Sequence, residues 1–320
     1  MIKNTNLDNM NYYEIEPEDN TFTDIVADIT HRCNMECKNC YLPNRLPPDM
    51  SLEKFKEFVK RVPVGPKNAQ RMFRILGAEP TLHKECTGFV KAVLDAGHKC
   101  IILTNGLRLS SENYVQKLLD VGLEHLYISM NGVDRDDWYT AIDDMPCATK
   151  KLKALKNVAN KFKLDIGCIL VKGINDDAPS RMVNLMKEYD IKNVTLRFKN
   201  VGQLGRYMAE IPENWSMEDL VSIVAKQFNL SEKYIWDFYK INHRYHGAPE
   251  VCGIEFPVDS TQDPKDPKFR YNGIWIKLTN WGTDNEVGIP DPGNTRRGRI
   301  TQDWKLAPFY EHVKRNEGGY

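Results

Sequence analysis

Through its first two hundred residues the chain alternates short apolar runs with longer segments of helical period. Residues 24–30 (DIVADIT) predict a first strand. Residues 51–61 (SLEKFKEFVKR) predict a helix: Ser51 stands at the N-cap, and Leu52, Phe55, Phe58 and Val59 fall on one face. The rhythm then repeats. Strands are predicted over 72–76, 100–103, 125–129, 164–171 and 194–198, and helices over 85–96, 111–121, near 150–161 and over 179–189. Gly97 and Gly122 follow two of these helices, where a residue without Cβ ends a helix at least cost.

A strand followed by a helix, about six times over, predicts an α/β protein with a parallel sheet and right-handed crossovers. Six units are too few for a closed eight-fold barrel. The expected fold is therefore an open, partial (β/α)6 barrel, with a doubly wound sheet as its competitor. In either, ligands gather at the C-terminal ends of the strands. Beyond about residue 210 the rhythm stops. Segments 217–228 and 232–241 read as helices and 273–279 as a strand; the remainder is rich in Gly, Pro and aromatic residues. Five of the six tryptophans lie there: Trp215, Trp236, Trp275, Trp281 and Trp304. The expected organisation is an N-terminal arm (1–23), the partial barrel (24–210) and an aromatic-rich substrate-binding or capping extension (211–320). Residues 261–268 (TQDPKDPK) read as a flexible loop.

Charge narrows the function. Lys plus Arg and Asp plus Glu both number 44, so nothing draws the whole chain to nucleic acid or an anionic membrane. The extension carries 14 basic and 16 acidic residues, which excludes a basic nucleic-acid module there. No apolar run is long enough to span a bilayer, and the polar, acidic N-terminus lacks a signal-peptide core, so the cytoplasm is the default compartment.

Five of the eight cysteines are scattered (Cys86, Cys100, Cys147, Cys168 and Cys252) and read as reduced, mostly buried apolar residues. The other three, Cys33, Cys37 and Cys40, crowd into a Cys-x3-Cys-x2-Cys loop directly after the first strand. Three close thiolates suit a soft metal centre. A structural zinc site wants four ligands, which here would mean recruiting His31. A cubane [4Fe–4S] cluster normally takes four cysteines, so three would leave one iron open to a non-protein ligand.

This loop resembles that of the radical S-adenosylmethionine (radical SAM) superfamily. The resemblance implies an open iron chelated by the amino and carboxylate groups of S-adenosylmethionine. It also implies reductive cleavage to methionine and a 5′-deoxyadenosyl radical that abstracts a substrate hydrogen. Gly77-Ala78-Glu79-Pro80 resembles the family's Gly-Gly-Glu-Pro motif, which contacts the S-adenosylmethionine amino group; Ala78 replaces the second glycine. Thr104-Asn105-Gly106 looks like the family's Thr-Asn-Gly after the third strand. Ser129 and Asn131, after the fourth, stand where members contact the carboxylate or ribose. Residues 167–176, with Ile169, resemble the segment that flanks adenine, and Arg197 is placed to reach the carboxylate. Asn39 departs from the pattern, since many members have an aromatic residue there, and Tyr41 follows the third cysteine instead. The resemblance spans about residues 24–200 and is strongest to the branch with molybdenum-cofactor and peptide-modifying members.

Past residue 200 only Cys252 remains, so one cluster is expected and no auxiliary one. Some radical SAM epimerases quench the substrate radical with one C-terminal cysteine, a role open to Cys252 in its Pro/Gly-bounded loop. Arg296-Arg297-Gly298-Arg299 reads as a solvated loop or as a clamp for phosphate or carboxylate. His243, Arg244, Tyr245 and His246 either line a pocket or cap a helix. The expectation is a radical SAM enzyme acting on a small polar molecule such as a sugar or nucleotide, by epimerisation or another rearrangement or redox change. Its partner would be a one-electron donor such as flavodoxin or ferredoxin. The alternatives are a peptide-modifying maturase, disfavoured by the short stretch before the first strand, and a non-enzymatic metal or iron–sulfur protein.

Overall fold

The computed structural model of the chain describes residues 13–40, 42, 49–64, 70–201, 215–240, 268–279 and 297–309. The six expected strands form as β1 (Asp24–Asp28), β2 (Met72–Leu76), β3 (Lys99–Thr104), β4 (His125–Ser129), β5 (Lys163–Ile169) and β6 (Val194–Lys199). They pair in chain order and all run parallel. Between them lie α1 (Leu52–Arg61), α2 (Cys86–Asp95), α3 (Glu112–Asp120), α4 (Asp136–Asp143), α5 (Ala148–Val158) and α6 (Ala178–Glu188). The short helix α4 is an addition to the expected set, and α5 starts two residues earlier than 150.

The extension brings α7 (Met217–Phe228), α8 (Glu232–Lys240), β7 (Phe269–Tyr271), β8 (Ile274–Thr279), β9 (Arg297–Ile300) and β10 (Leu306–Pro308). It does more than cap the barrel. Strand β8 pairs parallel to β6, and β9 pairs parallel to β1. Eight parallel strands result, edged by the antiparallel β7 and β10, in the order β10-β9-β1-β2-β3-β4-β5-β6-β8-β7. The edges do not meet, so the barrel is open. The Arg297–Arg299 stretch is thus a strand rather than the solvated loop that its composition suggested, and Arg299 is buried.

Local chemistry accounts for these elements. In α1, Ser51 Oγ accepts the Lys54 amide at 3.4 Å, Glu53 sits in the first turn, and Lys60 and Arg61 sit in the last, as the helix dipole favours. Its apolar face buries Phe55 against Phe73 and Phe89, and Phe58 beside Trp304. Burial of each such ring is worth roughly 1.5–3 kcal/mol. Helix α7 opens with a complete capping box between Ser216 and Asp219.

Strand alternation separates two faces. Ile25, Ala27 and Ile29, with Ile75, Ile102 and Ile166, pack into the core between sheet and helices. The alternate residues turn to the concave side, and beside an apolar patch of Val26, Leu76 and Leu103 many of them are charged. Asp24 pairs with Arg74 at 2.9 Å and Arg297 at 3.7 Å; Asp165 pairs with Arg197 at 2.8 Å and His125 at 3.3 Å. The concave side is thus a polar lumen. Gly167 makes room there for Tyr127: a Cβ at Gly167 would lie 1.6 Å from the tyrosine oxygen.

Candidate functional site

Parallel pairing puts the C-terminal ends of β1–β6, β8 and β9 at one edge. The cysteine loop leaves β1 at this edge, and its stem is held from both sides. Thr30 Oγ1 donates to Asp49 at 2.6 Å, and the Arg32 guanidinium meets the same carboxylate at 2.5 Å. From β2, the Ala78 amide donates to Thr30 O and the Glu79 amide to Arg32 O, each at 2.9 Å. Gly77 permits this approach. Its φ is +147°, and a Cβ would lie 2.3 Å from Thr30 O. Ala78 makes its contact through the backbone, so the departure from a second glycine is tolerated. Pro80 starts the 3-10 turn Pro80–Leu82.

Glu79 is fully buried. Its Oε1 accepts Thr81 N at 3.1 Å, Thr81 Oγ1 at 2.5 Å and Thr104 Oγ1 at 2.7 Å, and its Oε2 accepts Asn105 N at 2.7 Å. The carboxylate therefore locks the end of β2 to the end of β3. Asn105, so fixed, turns its amide nitrogen to Asn34 Oδ1 at 2.8 Å, with Cys33 Sγ 4.0 Å away. Two of the strand-end motifs, Gly77–Pro80 and Thr104–Gly106, thus converge on the cysteine loop.

The remaining predicted residues occupy the same edge. Ser129 ends β4, and its carbonyl accepts a 2.7 Å bond from the Lys151 ammonium. Asn131 is buried with its amide fully engaged: Nδ2 donates to Asp143 at 2.7 Å and Oδ1 accepts Ile169 N at 2.9 Å. Asp143 in turn lies against Cys37. Burial, followed by the charge of Asp143, pushes the Cys37 thiol up, so metal binding there would release a proton. Ile169 joins an apolar wall with Ile142, Val171 and Val201. Arg197 sits deeper in the lumen and is engaged with Asp165; burial opposes ionisation of that carboxyl, but Arg197 and His125 outweigh it and hold it below the usual range. Cys252, the cluster His243–His246 and Tyr41 lie outside the described residues.

Three residues that carry the site were not singled out in the sequence. Lys151 and Asp143 are buried behind the cysteine loop, and Asn175 Nδ2 ties Asn131 O to Ile169 O at 2.9 and 2.8 Å. A signal existed for Lys151: at helical spacing it falls on the apolar stripe of Ala148, Leu155 and Val158. Asp28 is a fourth such residue. It ends β1 on the lumen side, fully buried, and neither carboxylate oxygen has a hydrogen-bond partner among the described residues. Burial, only partly opposed by Arg299, pushes it up to about 7.

The donor set suits an iron–sulfur cluster: three soft thiols share one loop, and a cubane held by three thiolates leaves one iron for a non-protein ligand. Among the described residues no three His, Cys, Asp or Glu side chains converge on a single-ion position. A cubane does not require this, because its thiolates bind different irons.

The sequence model of the radical SAM superfamily matches residues 28–186, about half of the chain. The chain belongs to the radical SAM superfamily. Proteins of this superfamily use a [4Fe–4S] cluster and S-adenosylmethionine, and those are the cofactors of this chain. A GTP 3′,8-cyclase of Staphylococcus saprophyticus is 26% identical over 219 residues, covering 65% of this chain and 62% of that protein. A 7,8-dihydro-6-hydroxymethylpterin dimethyltransferase of Methanocaldococcus jannaschii is 24% identical over 305 residues, 90% of this chain and 55% of that protein. Among solved structures, Streptococcus suis SuiB bound to the precursor peptide SuiA superposes with a TM-score of 0.62 at 15% identity, over 93% of this chain and 62% of that one. SuiB bound to S-adenosylmethionine gives the same TM-score at 14% identity, over 93% and 63%. The chain thus spans somewhat over half the length of these relatives. Among the described residues no helix is long and apolar enough to cross a membrane.

Two predictions follow from this geometry. Glu79→Ala strands the donors of Thr81, Thr104 and Asn105, at about 1–3 kcal/mol for each buried group left unpaired. It should therefore lower both denaturant stability and S-adenosylmethionine affinity; wild-type stability would show the carboxylate is no hub. Asp28 has a folded pKa raised above the unfolded value of about 3.9. Its contribution to stability is therefore fullest below pH ~4 and is lost as pH rises to about 7. The stability of Asp28→Asn relative to the native protein should grow by roughly 1.4 kcal/mol per pH unit across that interval and level off above it. Equilibrium unfolding at pH 5 and pH 8 checks this, and a pH-independent difference would place the carboxylate in water.

Proposed function

We propose that this chain is an enzyme whose Cys33, Cys37 and Cys40 hold the cluster and whose strand ends bind S-adenosylmethionine. When bound, these groups supply reductive cleavage to a 5′-deoxyadenosyl radical, which abstracts hydrogen from a small polar substrate. The observation that carries this reading is the edge itself: the cysteine loop, Gly77–Glu79 and Asn105 are joined by direct hydrogen bonds. Asn105 and Ser129 bound the space beside the cysteines, and the Ile169 wall offers an apolar face for adenine. The lumen below takes the substrate. Arg299, Lys199 and Lys277 share its concave face with the two arginine–aspartate clusters, which favours an anionic group such as a phosphate. Asp28 offers a buried acceptor to a substrate N–H or O–H. A nucleotide or sugar phosphate meets both demands, and the GTP 3′,8-cyclase relatives support the choice. Cys252 is proposed as the hydrogen donor to the product radical, and a flavodoxin- or ferredoxin-like protein as the source of electrons.

The deciding experiment is anaerobic. With iron, sulfide, dithionite and S-adenosylmethionine, the purified protein should form 5′-deoxyadenosine detectable by mass spectrometry. The Cys33→Ala, Cys37→Ala and Cys40→Ala variants should each lose bound iron and form none. Deuterium from labelled nucleotides or sugar phosphates should appear in 5′-deoxyadenosine. Label arriving only from a peptide would move the reading to a peptide-modifying enzyme, and a fully loaded wild-type cluster that cleaves nothing with any of these substrates would defeat it. Once a substrate is in hand, Cys252→Ala should still cleave S-adenosylmethionine but stall or divert product formation. An unchanged product yield would remove Cys252 from the chemistry.

A further inference from the structure

Helix α5 presents an apolar stripe to the interior, and Lys151 stands in the middle of it, 1% exposed. An alkyl side chain would fill this place without the cost of burying an ammonium, so the charge asks for a reason. The ammonium donates to two main-chain carbonyls, those of Asn105 and Ser129, and lies 5.4 Å from the centre of the Tyr139 ring. These carbonyls belong to the ends of β3 and β4, two of the strand ends beside the cysteine loop. Asn105, whose carbonyl it holds, keeps its side-chain amide 4.0 Å from Cys33 Sγ, and the buried Asp143 carboxyl, bonded to Asn131, belongs to the same layer. The loop is anchored to this layer in other ways: Lys38 N donates to Ile142 O at 3.0 Å, and Met35 packs with Leu107, Tyr139 and Cys147. A buried ammonium, with the Asp143 carboxyl in the same layer, therefore stands behind the loop.

We propose that Lys151 is a positioning residue for the cluster-bearing edge: its ammonium fixes the ends of β3 and β4 against each other and supplies, behind the cysteine loop, positive charge that favours the reduced cluster. The proposal rests on the assignment of Cys33, Cys37 and Cys40 as cluster ligands. Its physical basis is general. One-electron reduction adds negative charge inside a low-dielectric wall, where a nearby cation is worth far more than in water. Net charge and hydrogen bonding around a cluster set its potential. Two carbonyls held by one ammonium also keep Asn105 and Ser129 at a fixed separation, as a ligand spanning both strand ends requires.

Two variants separate the roles. Lys151→Gln keeps N–H donors but removes the charge; Lys151→Met removes both. Each is reconstituted anaerobically beside the wild type, and its iron content and melting temperature are recorded. The cluster is then titrated against potential by electron paramagnetic resonance, and S-adenosylmethionine affinity is measured by equilibrium binding. In Lys151→Gln the reduced-to-oxidised ratio at a fixed potential should fall about tenfold, a shift of about 59 mV for one electron, with little change in affinity. In Lys151→Met the same shift should be joined by about tenfold weaker S-adenosylmethionine binding, the effect of losing a charge-assisted bond pair. Should Lys151→Met not fold, the potential of Lys151→Gln decides. A wild-type potential in an iron-loaded Lys151→Gln protein overturns the proposal. A wild-type protein that takes up no iron–sulfur cluster overturns the cysteine assignment beneath it, and the two failures are told apart by iron content alone.

Discussion

A carboxylate taken out of water must find donors, and the arrangement of the site follows from where Glu79 finds its own. It draws two from Thr81, in the turn that its own residue begins, and two more from the neighbouring strand end. With those bonds made, the end of β3 has no freedom relative to β2. The main chain around Glu79 is at the same time bonded to the stem of the cysteine loop. One buried charge therefore fixes three segments that are far apart in the chain. Parallel pairing supplies the precondition, because only a parallel sheet brings these segments to one edge.

The lumen obeys the same rule with less economy. Asp24 and Asp165 each meet arginine, and Asp165 is held ionised against the tendency of burial. Such pairs contribute little net stability compared with an apolar core of the same volume. Their presence marks the concave face as a surface kept polar for another purpose. Asp28 sharpens the contrast: it lies on the same face without a hydrogen-bond partner among the described residues and resists ionisation. A fold selected for stability alone would place an apolar residue there, as it does at Val26 two positions earlier on that face.

Much of this was legible in the sequence. The βα rhythm is periodic, so six strands could be read, and the spacing of Cys33, Cys37 and Cys40 could be read because it is local. Strand β9 could not. It has four residues, two of them arginines that face the lumen, so the alternation that defines a strand reads as a basic turn. Its partner β1 lies some 270 residues away in sequence, and pairing at that distance leaves no local mark. The role of Asn131 was partly legible. Its place at a strand end was correct, but its amide is spent on Ile169 and Asp143, bonds that no one-dimensional pattern displays. Lys151 carried a readable signal in the form of a charge on an apolar stripe. What such a charge holds depends on the neighbouring strand ends, which only the fold supplies.

The division of labour between the two halves of the chain follows from these contacts. Residues up to β6 build and brace the edge where the cysteines sit, through bonds among strand ends that a substrate need never touch. The extension contributes β8 and β9, and with them Lys277, Arg297 and Arg299 on the lumen face. The two strands flank the six-unit array on opposite sides, so both margins of the lumen are set by residues outside the recurrent βα pattern. A barrel of this kind can keep its cysteine-bearing edge while its lumen varies, because β8 and β9 add charge to the lumen without holding the cysteine loop. Where the extension differs from that of a relative, the difference falls on the margins of the lumen, whereas Glu79, Asn105 and the loop stem remain bound to one another by bonds internal to the first half.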